Sequence, residues 1–186
     1  FVHTPGLKVV TPSTVYDAKG LLKSSIRGDS PVLFIEHRLL YSIRERIPKG
    51  EFLVPLGEAT VRREGEDITI VATSLMVHKA LRAAEELSPE IRVEVIDPRT
   101  LVPLDIEKIV GSVKKTGRLL IVHEACTRGG VGADIVRQVV EKAFDHLDCP
   151  PLVLGGANTP MPYSPPLEDA CLPQQKDIVK MVKDMI

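Results

Sequence analysis

The sequence predicts an α/β protein with an open, mostly parallel sheet that carries helices on both faces. Two observations predict this class. Short apolar and partly β-branched runs alternate with amphipathic helical segments, as in folds built from strand–helix–strand units. Several of these runs are apolar at every position, which is typical of strands buried on both faces.

Residues 1–43 predict one strand–helix–strand unit. Residues 8–10 form a short apolar run, and Thr14 with Asp17 three positions later predicts a helix start. Residues 32–35 are continuously apolar and predict a strand buried on both faces. This order suits one parallel crossover. Apolar residues at spacings of three and four lie on one face of the predicted helix: Val15, Ala18, Leu22 and Ile26.

A second alternating series follows a polar stretch. Residues 44–57 lack periodicity and predict a linker between two domains. Residues 58–186 then resume the alternation. The predicted strands are residues 68–72, 92–96, 119–123 and 151–154, and the predicted helices are residues 76–87, 106–113, 134–144 and 177–185.

Residues 158–166 contain four prolines, so we expect this segment to be neither a helix nor a central strand. A rigid extended segment of this kind would aim Tyr163 at a partner or at the core of its own domain.

Composition excludes several classes of function. The net charge is −1 with both signs interspersed, which gives no footprint for nucleic acid or an anionic membrane. No apolar run approaches the length of a membrane-spanning helix. Three widely spaced cysteines predict free thiols in a reducing compartment. The chain opens without a methionine or a signal-peptide pattern, and we expect a fragment of a longer protein.

Two features could carry chemistry, and each has a structural alternative. Residues 129–132 lie between a predicted strand and a predicted helix, where glycines could expose amides to an anion. They match no nucleotide fingerprint, and close packing explains glycines there equally well. His123 beside Glu124 ends a predicted strand, where a general base could project. Neighbouring strand residues point to opposite faces, so a structural histidine is our interpretation.

Motifs along essentially the whole chain resemble, in the same order, the beta subunits of thiamine-diphosphate-dependent 2-oxo acid dehydrogenases. One of them, residues 95–105, has Pro98 where that family usually has leucine. The motifs are residues 5–13, 17–21, 31–37, 40–41, 95–105, 115–119, 123–125, 129–130, 159–163 and 167–173.

The resemblance implies a transketolase-type C-terminal domain over residues 58–186, preceded by part of a pyrimidine-binding domain over residues 1–43. It implies an α2β2 holoenzyme that oxidatively decarboxylates pyruvate or a branched-chain 2-oxo acid and transfers the acyl group to lipoyl. Thiamine diphosphate and Mg would lie between subunits, with the diphosphate and Mg on the alpha chain. The family's cofactor-contacting glutamate and active-site histidine fall upstream of Phe1. No residue here is therefore assigned as catalytic or cofactor-binding, and the isolated chain is expected to be inactive.

The resemblance also implies two further sites. Many family members hold potassium at the end of the helix before Pro31, and Gly28 replaces their usual acid, which Asp29 could supply by a shift of one residue. The surface that docks the basic subunit-binding domain of the acyltransferase core matches Asp148 and the terminal carboxylate of Ile186. The positions that match the potassium site are Ser25, Ile26, Gly28 and Ser30.

Several alternatives stay open on the sequence alone. Within the family, an acetoin dehydrogenase beta subunit fits. Outside it, a noncatalytic dimerisation module fits, as does a flavodoxin-like nucleotide-binding protein that uses residues 129–132. The expected partners are an alpha subunit and a second beta subunit, and the isolated chain is expected to form a homodimer because a partial domain exposes apolar faces. The expected location is the cytoplasm of a bacterium or archaeon, or the mitochondrial matrix.

Overall fold

The computed structural model describes residues 1–186 as eight strands and six helices. None of the helices is long and apolar enough to cross a membrane. The strands are β1 (Lys8–Val10), β2 (Val32–Phe34), β3 (Thr60–Arg63), β4 (Ile68–Ala72), β5 (Val93–Asp97), β6 (Thr100–Val102), β7 (Leu119–Cys126) and β8 (Leu152–Gly156). The helices are α1 (Val15–Arg27), α2 (Leu75–Leu87), α3 (Ile106–Thr116), α4 (Val131–Ala143), α5 (Pro165–Cys171) and α6 (Gln175–Met185).

The larger sheet has five strands in the order β3-β5-β4-β7-β8. All neighbours are parallel except β3, which runs antiparallel to β5 at one edge. One apolar core lies between this sheet and helices α2 and α6, and a second lies between the other face and helices α3 and α4. The predicted fold class, a mostly parallel sheet covered on both faces, is therefore confirmed.

The smaller sheet joins the beginning of the chain to its middle. Its order is β2-β1-β6, with β1 parallel to β2 and antiparallel to β6. The predicted parallel crossover is confirmed, whereas β6 was not predicted. The expectation that residues 32–35 are buried on both faces is wrong, because β2 is an edge strand and its residues are only half-buried.

The apolar face predicted for α1 is not the most buried face of the helix. Leu21 is fully buried, whereas Leu22 is 43% exposed and Ile26 is 74% exposed. The cause is the segment that follows, because Val54 packs so closely on Gly20 that a Cβ there would lie 2.4 Å from Val54 Cγ2. Val15 and Ala18 of the predicted apolar face are half-buried, and its C-terminal end faces outward.

Residues 50–56 lie along α1 rather than spanning open solvent. The ring of Phe52 stacks on Tyr16 with centroids 4.4 Å apart, and Lys19 Nζ lies 4.7 Å from the Phe52 ring centroid. Lys19 also donates to the carbonyl of Gly50 at 2.9 Å, and Ser24 Oγ donates to the carbonyl of Val54 at 2.6 Å. Aromatic stacking and hydrogen bonds to the backbone hold this stretch, and neither produces a periodic sequence pattern.

A buried ionic cluster joins residues 1–43 to the larger sheet. The carboxylates of Asp17 and Asp97 are both completely buried. Arg62 pairs with Asp17, and its guanidinium also donates to Asp97 at 2.9 Å. Arg99 Nε lies 2.8 Å from Asp17 Oδ1 without hydrogen-bond geometry, so this contact is an ion pair. Ser13 donates to Asp97.

The cluster contains two carboxylates and two guanidinium groups, so its formal charges cancel. Burial disfavours the charged form of Arg62, but Asp97 and Asp17 outweigh this effect and raise the Arg62 pKa above its ordinary value. The backbone of Arg99 is left-handed at φ 59°, and its N–H donates to Asp97 at 2.9 Å. Asp17 thus serves as a buried ion partner, in addition to donating its backbone N–H to the capping Thr14 at 3.1 Å.

We expect Asp17→Asn to lower the free energy of unfolding of the full chain by about 3 kcal/mol, because it leaves buried arginine charge uncompensated. Urea unfolding monitored by circular dichroism measures the change. Asp145→Asn, at an exposed acid with no ion pair, is the matched control and should leave the midpoint unchanged. Equal midpoints for both variants would contradict the assigned role of the cluster.

Candidate functional site

His123 is the most buried histidine at the carboxyl edge of the larger sheet, with 2% of its surface exposed. Its Nδ1 lies 2.9 Å from the carbonyl oxygen of Ala125. Because a carbonyl only accepts, Nδ1 carries the proton and Nε2 is the bare nitrogen of the neutral ring. Nε2 is buried without a hydrogen-bond partner. Burial lowers the pKa of His123 below its ordinary 6.5, which favours this neutral form.

Three glycines make room for the His123 ring. A Cβ at Gly132 would lie 2.7 Å from Nε2, and a Cβ at Gly130 or Gly155 would lie 2.9 Å from Cε1 of the same ring. Side chains at these positions would collide with the imidazole. The geometry therefore favours close packing as the reason for Gly130 and Gly132, whereas Gly129 has a φ of 68° and a Cβ there would meet no atom within 4 Å. The packing also supports the interpretation of His123 as a structural residue.

Glu124 points to the opposite side of β7 from His123 and contacts the first part of the chain. Its Oε1 lies 3.0 Å from Nε2 of His37, which follows β2. Both side chains are 23% exposed. The contact joins the two parts of the chain near the carboxyl edge of the larger sheet.

His37 also lines a cleft of about 240 Å³ between the start of α1 and the turn at residues 38–42. We call it the anchor cleft. At its mouth Tyr41 donates to Oε2 of Glu36 at 3.1 Å, which raises the Tyr41 pKa. The lining residues are Pro12, Ser13, Thr14, Val15, Ala18, Glu36, His37, Leu40, Tyr41 and Ile43.

The four positions matched to a potassium site surround the C-terminal end of α1. No hydrogen bond reaches the carbonyl oxygens of Ser25 or Ile26, so both oxygens are available to a cation. Gly28 ends the helix in an extended conformation. A Cβ at Gly28 would lie 3.6 Å from the carbonyl oxygen of Ser24, so a side chain has room there. Gly28 has no carboxylate, so the carbonyls fit a cation and the acidic ligand is missing.

Arg118 brings together the two positions matched to partner docking. The Nη1 atom of Arg118 lies 3.3 Å from Oδ2 of Asp148, and its Nε donates to the carbonyl of Met185 at 3.0 Å. Asp148 is exposed and rests against Gly117, and Ile186 is 54% exposed. Asp148 and the chain terminus therefore belong to one surface.

The proline-rich segment projects from the same edge of the sheet as Glu124. We call residues 158–169 the proline hook. Its base is held by Asn158, whose Oδ1 accepts from the backbone of Arg128 at 3.2 Å. Tyr163 is fully exposed, so it does not enter the core of its own domain. The expectation that residues 158–166 exclude helix is wrong at their end, because α5 begins at Pro165, where a proline needs no donor.

Sequence reasoning missed the anchor cleft and the ionic cluster. Asp17 was assigned only to the helix cap, and in the sequence Arg62 and Arg99 lie beyond the linker from it. One signal was available for the cleft, because residues 38–49 combine apolar side chains with four basic ones directly after a predicted strand.

These features define a class of α/β protein. In this class a small sheet with one helix is attached to the carboxyl edge of a larger sheet that carries helices on both faces. The family model described as "Transketolase, C-terminal domain" matches residues 57–178, and "Transketolase, pyrimidine binding domain" matches residues 1–44. The chain belongs to the transketolase C-terminal domain family.

Similar proteins include beta subunits of two kinds of enzyme. The chain is 46% identical to the acetoin:2,6-dichlorophenolindophenol oxidoreductase subunit beta of Cupriavidus necator, over 96% of this chain and 53% of that one. It is 44% identical to the pyruvate dehydrogenase E1 component subunit beta of Bacillus subtilis, over 98% of this chain and 56% of that one. The chain thus spans about half the length of these curated relatives.

One similar solved structure is described as "Split gene transketolase, inactive beta4 tetramer". The TM-score is 0.82 and the sequences are 27% identical, over 98% of this chain and 59% of that chain. The structural match extends over both sheets.

We expect Gly132→Ala to destabilise the chain by about 1–3 kcal/mol, because the new methyl group would overpack against His123 and Val153. The matched control is Gly111→Ala in α3, where a Cβ meets no atom within 4 Å. That control should stabilise by about 0.5–1 kcal/mol through helix propensity. Thermal unfolding measures both changes. A stable Gly132→Ala chain would show that the loop is not packed on the imidazole.

Proposed function

We propose that the chain is part of the beta subunit of a thiamine-diphosphate-dependent 2-oxo acid dehydrogenase. The holoenzyme would oxidatively decarboxylate pyruvate or a branched-chain 2-oxo acid and transfer the acyl group to lipoyl. Residues 1–43 and 58–186 would be its two domains, with residues 44–57 between them. A bacterial or archaeal cytoplasm, or the mitochondrial matrix, would be its compartment.

The observation that supports this proposal is the similarity of almost the whole chain to beta subunits of this class, at about 45% identity. The acetoin-cleaving relative supports a second candidate, an acetoin dehydrogenase beta subunit. Both candidates share the same fold and the same contacts between the two parts of the chain. They therefore differ in substrate and not in architecture.

In this proposal the residues of this chain do not hold thiamine diphosphate or its Mg. No group of three or more histidine, cysteine, aspartate or glutamate side chains is placed to hold a metal ion. We therefore derive no catalytic step here. In this proposal the alpha subunit and other parts of the beta subunit hold the cofactor, and the present residues contribute assembly and docking.

Assembly involves three partners in this proposal. An alpha subunit completes the α2β2 holoenzyme, and a second copy of the chain pairs with the first. The solved relative described as a beta4 tetramer supports self-association of a beta chain. The basic subunit-binding domain of the acyltransferase core would dock at Asp148 and Ile186, whose carboxylates complement its charge. A potassium ion on the carbonyls of Ser25 and Ile26 would stiffen the end of α1.

The function is tested on the holoenzyme purified with its own partners. Reduction of 2,6-dichlorophenolindophenol should depend on added thiamine diphosphate and on pyruvate or a branched-chain 2-oxo acid. The 186-residue chain alone should give no heat of binding with thiamine diphosphate in calorimetry. Turnover of acetoin alone would support the second candidate, and micromolar cofactor binding by the chain alone would overturn the assignment of cofactor binding to other residues.

We expect Asp148→Asn to weaken binding of a basic subunit-binding domain by several-fold and to reduce the salt dependence of the association rate. The physical reason is that a charge at the edge of an interface acts mainly by steering. Surface plasmon resonance at two salt concentrations measures both effects. The matched control is Glu51→Gln, another exposed carboxylate paired with an arginine. Equal affinities for the two variants would remove Asp148 from the docking surface.

A further inference from the structure

The proline hook and the segment beside the anchor cleft have complementary chemistry. Residues 38–49, which we call the basic strap, contain Arg38, Arg44, Arg46 and Lys49, and none of these has a carboxylate partner. The hook carries Glu168 and Asp169, both exposed and free of ion pairs. The strap also contains Glu45, which has no ion pair and accepts from the backbone N–H of Tyr16 at 3.3 Å, so the strap holds four cations and one acid. The hook holds acids alone, so the net charges of the two surfaces are opposite in sign.

The apolar groups of the two surfaces are complementary as well. The cleft of about 240 Å³ is smaller than the roughly 300–1,000 Å³ of small-molecule sites, so it suits one or two side chains. The hook presents Tyr163 fully exposed and Met161 half-exposed, between prolines that fix the backbone. A rigid tyrosine is a typical anchor of an interface, because little conformational entropy is lost when it is buried.

The cleft also offers a hydrogen-bond acceptor for a tyrosine hydroxyl. Oε2 of Glu36 accepts from Tyr41, whereas Oε1 of Glu36 has no donor within the chain. The hydroxyl of Tyr163 has no partner either. A tyrosine ring between Val15 and Ile43 would bring such a donor to the mouth of the cleft.

Both surfaces lie on one side of the molecule. Glu124 contacts His37 of the cleft at 3.0 Å, and a Cβ at Gly156, two residues before the hook, would lie 2.4 Å from the Glu124 carbonyl oxygen. Two surfaces on one side can engage twice in a two-fold pair, each hook meeting the other copy's cleft.

We propose that a second copy of this chain occupies the anchor cleft, with the proline hook of each copy seated in the cleft and against the basic strap of the other. This inference rests on the self-association proposed above and names its surfaces. Tyr163 is the apolar anchor, and Glu168 and Asp169 pair with the arginines of the strap.

The test uses the full chain in sedimentation equilibrium. Wild type should be dimeric at micromolar concentration, and Tyr163→Ala should raise the dissociation constant by about 10-fold or more. Tyr163 touches no core residue, so the variant should fold, and circular dichroism checks this. Lys183→Glu, an exposed and unpaired lysine on α6, is the control and should leave the dissociation constant unchanged.

Charge reversal gives a sharper result. Arg44→Glu with Arg46→Glu should abolish the dimer, as should Glu168→Arg with Asp169→Arg, because like charges would then face each other. An equimolar mixture of the two reversed chains should form a heterodimer, since both of its contacts regain opposite charges. A wild-type monomer at high micromolar concentration would overturn the self-association itself. A dimeric wild type with dimeric reversed chains, or reversed chains that stay monomeric when mixed, would overturn only the hook-and-cleft assignment.

Discussion

The buried ion cluster around Asp17 is the interaction on which the arrangement of the chain depends. Residues 1–43 supply two short strands and one helix, too little to form a core alone, and their small apolar cluster is centred on Val10, Leu21 and Val54. The ionic cluster fixes α1 against the larger sheet. Neither residues 1–43 nor the larger sheet could bury these charges alone. The cleft takes its position relative to the hook and the docking surface from this junction, because the hook and the docking surface both lie on the larger unit.

The larger sheet was predictable because its strands and helices produce periodic apolar patterns. β4 and β7 lie inside the sheet, where burial on both faces makes residues 68–72 and 119–122 apolar except for Thr69. Helices α2 and α6 each show a single buried stripe. β3 escaped prediction because it is a half-buried edge strand with the sequence Thr-Val-Arg-Arg, which lacks alternation. β6 escaped because its pairing with β1 involves only a few residues that are distant in sequence.

The candidate sites were less predictable, since they depend on which side chains the fold brings together. The preference for a structural His123 followed from strand geometry, but the three glycines around its ring come from two separate segments, the start of α4 and strand β8. Pairing of Arg62 with Asp17 cannot be read from spacing. The exposed stripe of Leu22 and Ile26 shows the opposite problem, because helical periodicity identifies an apolar face without specifying what covers it.

The pairing of β1 with β6 has a consequence for the order in which the protein folds on the ribosome. β1 finds one of its two neighbours only after Thr100–Val102 has left the exit tunnel. Asp17 likewise waits for Arg62 and Arg99 before its charge is compensated. Residues 1–43 therefore remain without these partners until translation has passed Val102. Long-range closure of this kind also slows folding, because the loop entropy is lost before the contacts are gained.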